Sequence, residues 1–185
     1  MHPGQLLAGA WVVWIVSWLV AGLWSAQTEK RAATGVELLH RAISGLGILL
    51  IAFHIHRRPA WPVGEEAAWA LAFLAIAGFL FTWWARIHLG RFWSSAIVRK
   101  EGHRIIETGP YALVRHPIYT GLILAILATA ASRARPTSLA GAVLATIGLW
   151  LKAHAEERFL AKELGAEAYA DYRRRVPMLL PLPRM

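Results

Sequence analysis

Long uncharged blocks of apolar residues dominate this chain of 185 residues and restrict what it can fold into. About 20 apolar residues, rising about 1.5 Å each in a helix, cross the hydrocarbon core of a bilayer. Backbone polar groups must be paired inside lipid, so such blocks fold as helices. The predicted spans are residues 6–23, 36–55, 67–87, 117–131 and 138–151. The sequence therefore predicts an all-α, polytopic membrane protein with about five spans, folded as one domain over residues 1–185.

Composition narrows the class of protein further. Hydrophobic residues make up 57% of the chain, and many of its 10 tryptophans lie near block ends, where interfacial aromatic residues belong. The net charge of +9 comes from basic residues that flank apolar blocks, which favours contact with anionic lipids over nucleic acid. Cysteine is absent, which excludes a disulfide and a cysteine nucleophile. His54 and His56 do not share a helix face, so we predict no metal site.

The distribution of basic residues predicts the orientation of the chain. Five spans place residues 27–41, residues 86–115 and the C-terminal tail on one side of the membrane. That side holds all but four of the 20 lysines and arginines, so the positive-inside rule makes it cytosolic and puts the N-terminus outside. The small, alanine-rich chain indicates a prokaryotic inner membrane.

Shorter signals predict the elements between and after the spans. Residues 132–136 join the last two spans into a helical hairpin, and residues 89–98 are predicted to form a short interfacial helix. Gly45 and Gly47 in the second span permit close contact with another helix. The tail begins as an amphipathic helix, and residues 176–183 are kept extended by three prolines.

The most patterned polar stretch, residues 102–121, leads directly into the fourth span. Pro117 suits the first turn of a helix, whose free N–H groups would give His116 a partly positive neighbourhood. Arg115 adds a full charge, so the pair could attract a carboxylate or a phosphate. The alternative is that Arg115 and His116 form an ordinary basic flank.

Two tyrosines of this stretch could contact a ligand. A Gly109-Pro110 turn precedes Tyr111, and Tyr119 lies in the first turn of the fourth span. Their ring faces suit a cation such as a sulfonium, although each could instead be an interface anchor.

A second polar cluster follows the fifth span. Lys152 and Glu156 are four residues apart and share a helix face, whereas Glu156 and Glu157 cannot point the same way. One glutamate could bind the hydroxyls or ammonium group of a ligand, and the other would face solvent or pair with Arg158 or Arg173. An ordinary charged helix end is the alternative.

The two clusters together resemble the isoprenylcysteine carboxyl methyltransferase family over residues 89–181, through GHRIIETGPYALVRHPIYTG and then EERFLAKELGAEAYADYRRRVPMLLP. The resemblance implies S-adenosyl-L-methionine as cofactor, with S-adenosylhomocysteine as product, bound on the cytosolic side between the loop and the tail. It implies methyl transfer to the carboxylate of a lipophilic, prenylcysteine-like acceptor that enters from the bilayer. Residues 1–87 would then supply three spans, and residues 88–185 the cofactor-binding catalytic half.

The resemblance also implies which residues form the site. Lys152 and Glu156 would be catalytic, with Lys152 standing where the family usually has arginine. Ala96 falls where the family has a polar cofactor contact, which is a second departure. The implied cofactor contacts are His103, Arg104, Ile105, Ile106, Tyr111, Arg115, His116, Pro117, Ile118, Tyr119 and Glu156.

Other acceptors and another reaction stay open at this point. A carboxylate is already ionised and needs no base, but a phospholipid amine or a small thiol would need Glu156, Glu157 or His116 as proton acceptor. An NADPH-dependent membrane reductase of the sterol-reductase type could use Arg115 and residues 173–175 for the cofactor phosphate. A non-catalytic membrane scaffold is the remaining alternative.

Overall fold

A computed structural model of the chain describes residues 1–24, 27–32, 34–53, 59–100 and 105–181. Helices account for almost all of its regular structure. In chain order the elements are α1 (Pro3–Gly22), β1 (Thr28–Arg31), α2 (Thr34–Ala52), α3 (Glu65–Leu89), a 3₁₀ turn (Gly90–Phe92), β2 (Val98–Lys100), α4 (Pro110–Leu113), α5 (Pro117–Ser132), α6 (Pro136–Leu164) and α7 (Ala166–Arg175).

The predicted polytopic architecture is confirmed. Within the described ranges, four helices, α1, α2, α3 and α6, are long and apolar enough to cross a membrane, and α5 is an apolar helix of 16 residues. The short loop between α5 and α6 makes the predicted helical hairpin. The amphipathic start of the tail is also confirmed, since α6 continues to Leu164 and is followed by α7.

Small residues let two pairs of helices approach closely. A Cβ atom added to Gly78 of α3 would lie 2.5 Å from the carbonyl oxygen of Gly121 in α5. A Cβ atom on Gly47 of α2 would lie 2.5 Å from the carbonyl oxygen of Gly141 in α6. Backbones in such contact gain dispersion energy without a hydrophobic driving force. The prediction for Gly47 is therefore correct, whereas Gly45 meets nothing within 4 Å.

Helix α1 packs on this core through one stripe of tryptophans. The indole N–H of Trp11 donates to Thr129 Oγ1 at 2.9 Å, and that of Trp14 donates to Thr82 Oγ1 at 2.7 Å. Trp14 also stacks on Phe79 of α3. Each polar tip thus finds a partner inside the bundle, which allows an indole to be buried there.

The bundle has two distinct ends. At one end the loop after residue 58 meets the hairpin turn, where the Ala60 N–H donates to the Ala134 carbonyl at 2.8 Å. At the other end lie the C-termini of α1 and α3, the start of α5 and the second half of α6. Arg86, only 1% exposed, donates there to the Ala21 and Gly90 carbonyls, each at 2.6 Å. The predicted placement of both polar clusters at one end of the bundle is confirmed.

The interfacial helix predicted over residues 89–98 is wrong. Helix α3 ends where Gly90 takes a φ of +56°, a 3₁₀ turn follows, and the chain then extends into β2, which pairs antiparallel with β1. Long-range contacts hold this segment extended. Glu37 accepts the Ile97 N–H at 2.8 Å, and the Ala32 N–H donates to the Ile97 carbonyl at 2.9 Å. Tertiary contact therefore overrides the local apolar pattern.

Candidate functional site

A cavity of about 210 Å³ lies at the end of the bundle that holds both polar clusters. Its walls come from α1, α4, α5, α6 and α7, from the end of α3 and from the segments between α3 and α4. The predicted site residues that line it are Ile105, Ile106, Tyr111, Arg115, His116, Ile118, Tyr119, Lys152 and Glu156. Pro117 is fully buried as the first residue of α5 and does not line the cavity. His103 and Arg104 lie outside the described residues.

The loop before α5 is shaped by Gly109 and by one short helix. Gly109 has a φ of +58°, and a Cβ atom there would collide with the imidazole of His88. The single turn α4 follows and buries Tyr111 against the cavity. Burial raises the pKa of the Tyr111 phenol, so it stays protonated and can donate a hydrogen bond. Tyr172 of α7 donates to the Tyr111 carbonyl at 2.7 Å and fixes the turn from the other side.

Glu157 is the centre of a buried ionic cluster. Its Oε1 accepts from Arg115 Nε at 2.7 Å and lies 3.2 Å from His116 Nε2, while Oε2 lies 3.4 Å from Arg173 Nε. The side chain is 3% exposed. The alternative in which this glutamate faces solvent is therefore wrong, and the alternative pairing with Arg173 is correct. A carboxylate buried this deeply requires such partners, because desolvating an unpaired charge is costly.

Arg115 ties the C-terminal tail to the loop. Its guanidinium donates to the carbonyls of Arg173 and Val176, and its backbone N–H donates to the Pro177 carbonyl at 2.9 Å. The next backbone N–H, of His116, donates to the Met178 carbonyl at 3.1 Å. These contacts give Arg115 a structural role, and its contact with an anionic ligand stays a prediction.

Glu156 points the other way, toward the cavity. Its Oε2 accepts the Tyr119 hydroxyl at 2.6 Å, and His116 Nδ1 lies 3.9 Å from the same oxygen. The His116 ring stacks on Tyr119 with 5.3 Å between centroids and 5° between planes. The predicted divergence of Glu156 and Glu157 is confirmed, and Glu156 is the one that lines the cavity.

Lys152 lies one helical turn before Glu156 on the same face of α6. Its Nζ donates to the Ser95 carbonyl at 2.8 Å and lies 5.2 Å from the centroid of the Tyr119 ring. An ammonium group has three donors, so two N–H bonds remain for water or for an anionic ligand. The cavity thus has a cation and a carboxylate at neighbouring positions of its polar wall.

Several lining residues had not been identified from the sequence. Tyr169 and Tyr172 are three apart on the charged helix α7, and that apolar spacing was a usable signal. No sequence signal identified the lining residues from distant parts of the chain, which are Trp18, Trp93 and Leu149. Ala96 also lines the cavity, where the family resemblance leads us to expect a polar side chain.

No group of three or more His, Asp or Glu side chains in the described ranges could hold a metal ion. His54 and His56, the pair considered in the sequence, lie outside those ranges.

Several known proteins are similar in sequence to this chain. It is 36% identical over 146 residues to methanethiol S-methyltransferase 2 of Bradyrhizobium diazoefficiens, covering 72% of this chain and 55% of that protein. Over 157 residues it is 33% identical to methanethiol S-methyltransferase of Mycobacterium tuberculosis, covering 76% and 62%. A protein-S-isoprenylcysteine O-methyltransferase of Schizosaccharomyces pombe is 29% identical over 119 residues, covering 61% and 48%. The chain therefore spans less than two thirds of the length of each relative.

A family profile gives the assignment. The profile of the isoprenylcysteine carboxyl methyltransferase (ICMT) family matches residues 70–162, which run from α3 through most of α6. The matched region contains Glu156, Glu157 and the whole loop before α5. This chain is a multi-pass membrane protein that belongs to the isoprenylcysteine carboxyl methyltransferase family.

Proposed function

We propose that the protein is a membrane methyltransferase that uses S-adenosyl-L-methionine in the cavity between the α4–α5 loop, α6 and the C-terminal tail. The observation that carries the proposal is the cavity wall itself. It combines tyrosine rings, the Glu156 carboxylate and the Lys152 ammonium with apolar side chains from the membrane-crossing helices. The methyltransferase names of the relatives support the same reaction.

The residues present fit this cofactor. Its sulfonium is a cation that suits the face of Tyr111, and its ribose hydroxyls or ammonium group suit Glu156. The Tyr119 ring already contacts His116 and Lys152, so its part is to orient Glu156 through its hydroxyl. The apolar side chains of Ile105 and Ile106 offer a surface for the adenine ring. When bound, the cofactor supplies an electrophilic methyl group.

The protein's own part is positioning and the exclusion of water. The Tyr119 hydroxyl fixes the Glu156 carboxylate, and the Glu157 cluster fixes the imidazole ring of His116 next to it. Apolar walls lower the local dielectric, which strengthens each of these interactions. Holding two reactants in a suitable orientation supplies a large share of the rate enhancement in such a transfer.

The acceptor we propose first is the carboxylate of a lipophilic, prenylcysteine-like molecule that reaches the cavity from the bilayer. Lys152 would orient this carboxylate through its remaining N–H bonds. No general base is needed, because a carboxylate is ionised at neutral pH. Lysine contributes a point charge here and not the two-pronged contact of arginine.

A small thiol is the second acceptor class, favoured by the names of the two bacterial relatives. A small thiol is mostly protonated at neutral pH and must lose its proton to become the nucleophilic thiolate, so a base is required. Glu156 Oε1 has no hydrogen-bond partner among the described residues and could accept that proton. Glu157 is occupied by Arg115 and His116 and is less suited to the task.

We further propose that the cavity faces the cytosol of a prokaryotic cell and that the membrane is its inner membrane. The concentration of lysine and arginine at the cavity end supports this orientation. A cytosolic opening would give the site access to a soluble cofactor.

Calorimetric titration of the detergent-purified protein with S-adenosylhomocysteine tests the proposed function, with NADPH titrated in parallel. We expect micromolar binding of the first compound and none of the second. Glu156→Gln should weaken that binding by about 10-fold or more, since a charge-assisted hydrogen bond is lost. Glu66→Gln, at the exposed far end of α3, is the matched control and should bind as the wild type does. Binding of NADPH alone would make the reductase alternative correct, and binding of neither compound to folded protein would favour the scaffold.

A further inference from the structure

The cavity has a membrane-side floor made of three apolar residues. Trp18, Leu122 and Leu149 line it and belong to α1, α5 and α6. Leu149 lies about one helical turn before Lys152, and Leu122 about one turn after Tyr119. Each is therefore roughly 5 Å deeper in the bundle than the polar residue of its own helix.

Trp18 is the largest residue of this floor and is held by ring contacts on three sides. Its ring stacks on Trp14 with centroids 4.8 Å apart. It makes edge contacts with Trp83 at 5.6 Å and with Trp93 at 5.5 Å. Aromatic pairs in these arrangements are favourable beyond the area they bury.

Two of these partners are themselves anchored. The indole N–H of Trp14 donates to Thr82 Oγ1 at 2.7 Å, and Thr82 is fully buried. The guanidinium of Arg86 lies 4.6 Å from the centroid of the Trp93 ring. Trp18 therefore cannot swing out of the floor without disturbing neighbouring rings that have fixed positions.

Beyond Trp18 lies the outer face of α1. Val16 and Leu19, on either side of Trp18 in sequence, are exposed in the bundle and would face lipid. At this level of α1, Trp18 lies on the side of the helix that lines the cavity, and Val16 and Leu19 lie on the exposed side.

We propose that Trp18 closes the membrane-side end of the cavity and limits the apolar body of the methyl acceptor to a short chain. This inference rests on the proposed methyl transfer but not on the first acceptor proposed above, because a closed floor excludes a long prenyl chain that enters from the bilayer. An acceptor that reacts beside Lys152 can extend toward the floor by about one helical turn, ~5 Å, before it reaches the level of Leu122 and Leu149. The indole of Trp18 lines the same cavity. That depth suits a chain of a few carbon atoms and excludes a long isoprenoid chain. The acceptor is then a short-chain thiol or a short-chain carboxylate.

A series of acceptors with alkyl chains of increasing length tests the proposed limit on chain length, with the purified full-length protein. Normal alkanethiols from ethyl to dodecyl supply the thiol series. N-acetyl-S-alkylcysteines of the same chain lengths supply the carboxylate series. Transfer of radiolabelled methyl from S-adenosyl-L-methionine is measured for each member, and the series that is methylated identifies the head group. For the wild type we expect a fall of about 10-fold or more at the first chain that meets the floor, since hydrophobic pockets discriminate single methylene groups to about that extent.

Two variants and one control locate the limit at the indole. Trp18→Ala should raise transfer to the dodecyl member by about 10-fold or more relative to the ethyl member. Its affinity for S-adenosylhomocysteine should stay within about threefold of the wild type, because no described polar contact of the cavity involves Trp18. Trp18→Phe should give a maximum chain length between those of the wild type and Trp18→Ala. Trp84→Ala removes a tryptophan from the exposed face of α3 outside the cavity and should keep the wild-type profile.

The result that would overturn the proposal is a wild type that methylates dodecyl and ethyl members equally. An unchanged length profile in folded Trp18→Ala would do the same. If Trp18→Ala does not fold, the dependence of methyl transfer on chain length in Trp18→Phe and in the wild type tests the proposal.

Failure of the proposed function itself would look different, since the protein would then neither bind S-adenosylhomocysteine nor transfer methyl. Equilibrium dialysis with the labelled S-alkylcysteines would still decide the length limit. Retention of short members and exclusion of dodecyl would support it, and equal retention would refute it.

Discussion

At the scale of single residues, the adjacent glutamates of α6 have opposite tasks. Glu156 accepts one hydrogen bond from the Tyr119 hydroxyl and lines the cavity. Glu157 is buried and pairs with Arg115, His116 and Arg173. The step of about 100° between neighbouring helix positions separates them. One side chain is thereby available to a ligand, and the other holds the loop and the tail in place.

Glu157→Ala should destabilise the protein strongly. Removing one partner of a buried ion pair costs about 3–5 kcal/mol, because Arg115 is left buried without its countercharge. The thermal unfolding midpoint in detergent should fall by roughly 10 °C. Arg158→Ala, at the exposed position next in sequence, is the control and should stay close to the wild type. A Glu157→Ala protein as stable as that control would show that the buried cluster contributes little.

Lys152 is expected to act on the acceptor and not on the cofactor. Lys152→Gln should lower methyl transfer by about 10- to 100-fold, the loss expected for a charge-assisted contact. Lys152→Arg keeps the charge and should retain most of the rate. Titration with S-adenosylhomocysteine should give similar affinity for both variants. Complete inactivity of Lys152→Arg, or full activity of Lys152→Gln, would count against this role.

At the scale of helices, the bundle depends on backbones that touch at glycine. α3 meets α5 at Gly78 and Gly121, and α2 meets α6 at Gly47 and Gly141. Lipid tails are as apolar as leucine, so helices in a bilayer associate through such close packing and through interhelical hydrogen bonds. Helix α1 joins the bundle through interhelical hydrogen bonds of this kind, from Trp14 to Thr82 and from Trp11 to Thr129.

Gly121→Ala should therefore be destabilising although alanine favours helix. The added Cβ would lie 2.5 Å from the Gly78 carbonyl oxygen, a backbone atom that cannot rotate away, so we expect a cost of about 1–3 kcal/mol. Gly45→Ala adds the same methyl group where nothing lies within 4 Å and should be neutral or stabilising. Thermal unfolding of the two variants in one detergent compares them directly. Equal midpoints would mean that α3 and α5 can separate without cost.

At the scale of the whole molecule, contacts between residues far apart in sequence close one end of the bundle. The tail after α7 runs beside the start of α5, where backbone N–H groups of Arg115 and His116 donate to carbonyls of Pro177 and Met178. Lys152 reaches Ser95 across 57 positions of the sequence. The cavity forms where these segments converge.

The cavity end and the hairpin end should be accessible from opposite sides of the membrane. The chain contains no cysteine, so single cysteines can be introduced without background. Glu167→Cys lies on α7 at the cavity end, and Glu66→Cys lies at the start of α3 at the other end. A membrane-impermeant maleimide should label only the second in intact cells from which the outer membrane has been removed, and only the first in inside-out vesicles. The reverse pattern would place the cavity outside.

The sequence by itself determined the membrane-crossing helices, the hairpin and the end of the bundle at which both polar clusters lie. These features follow from block length, hydropathy and charge, which act locally along the chain. It also predicted that Glu156 and Glu157 diverge, because that depends only on helix periodicity. Tertiary structure alone decided that Glu157 is the buried partner of Arg115, 42 positions away, and that the segment after α3 is extended. It also placed Trp18 in the cavity wall, since such contacts depend on how distant helices pack and no local pattern encodes them.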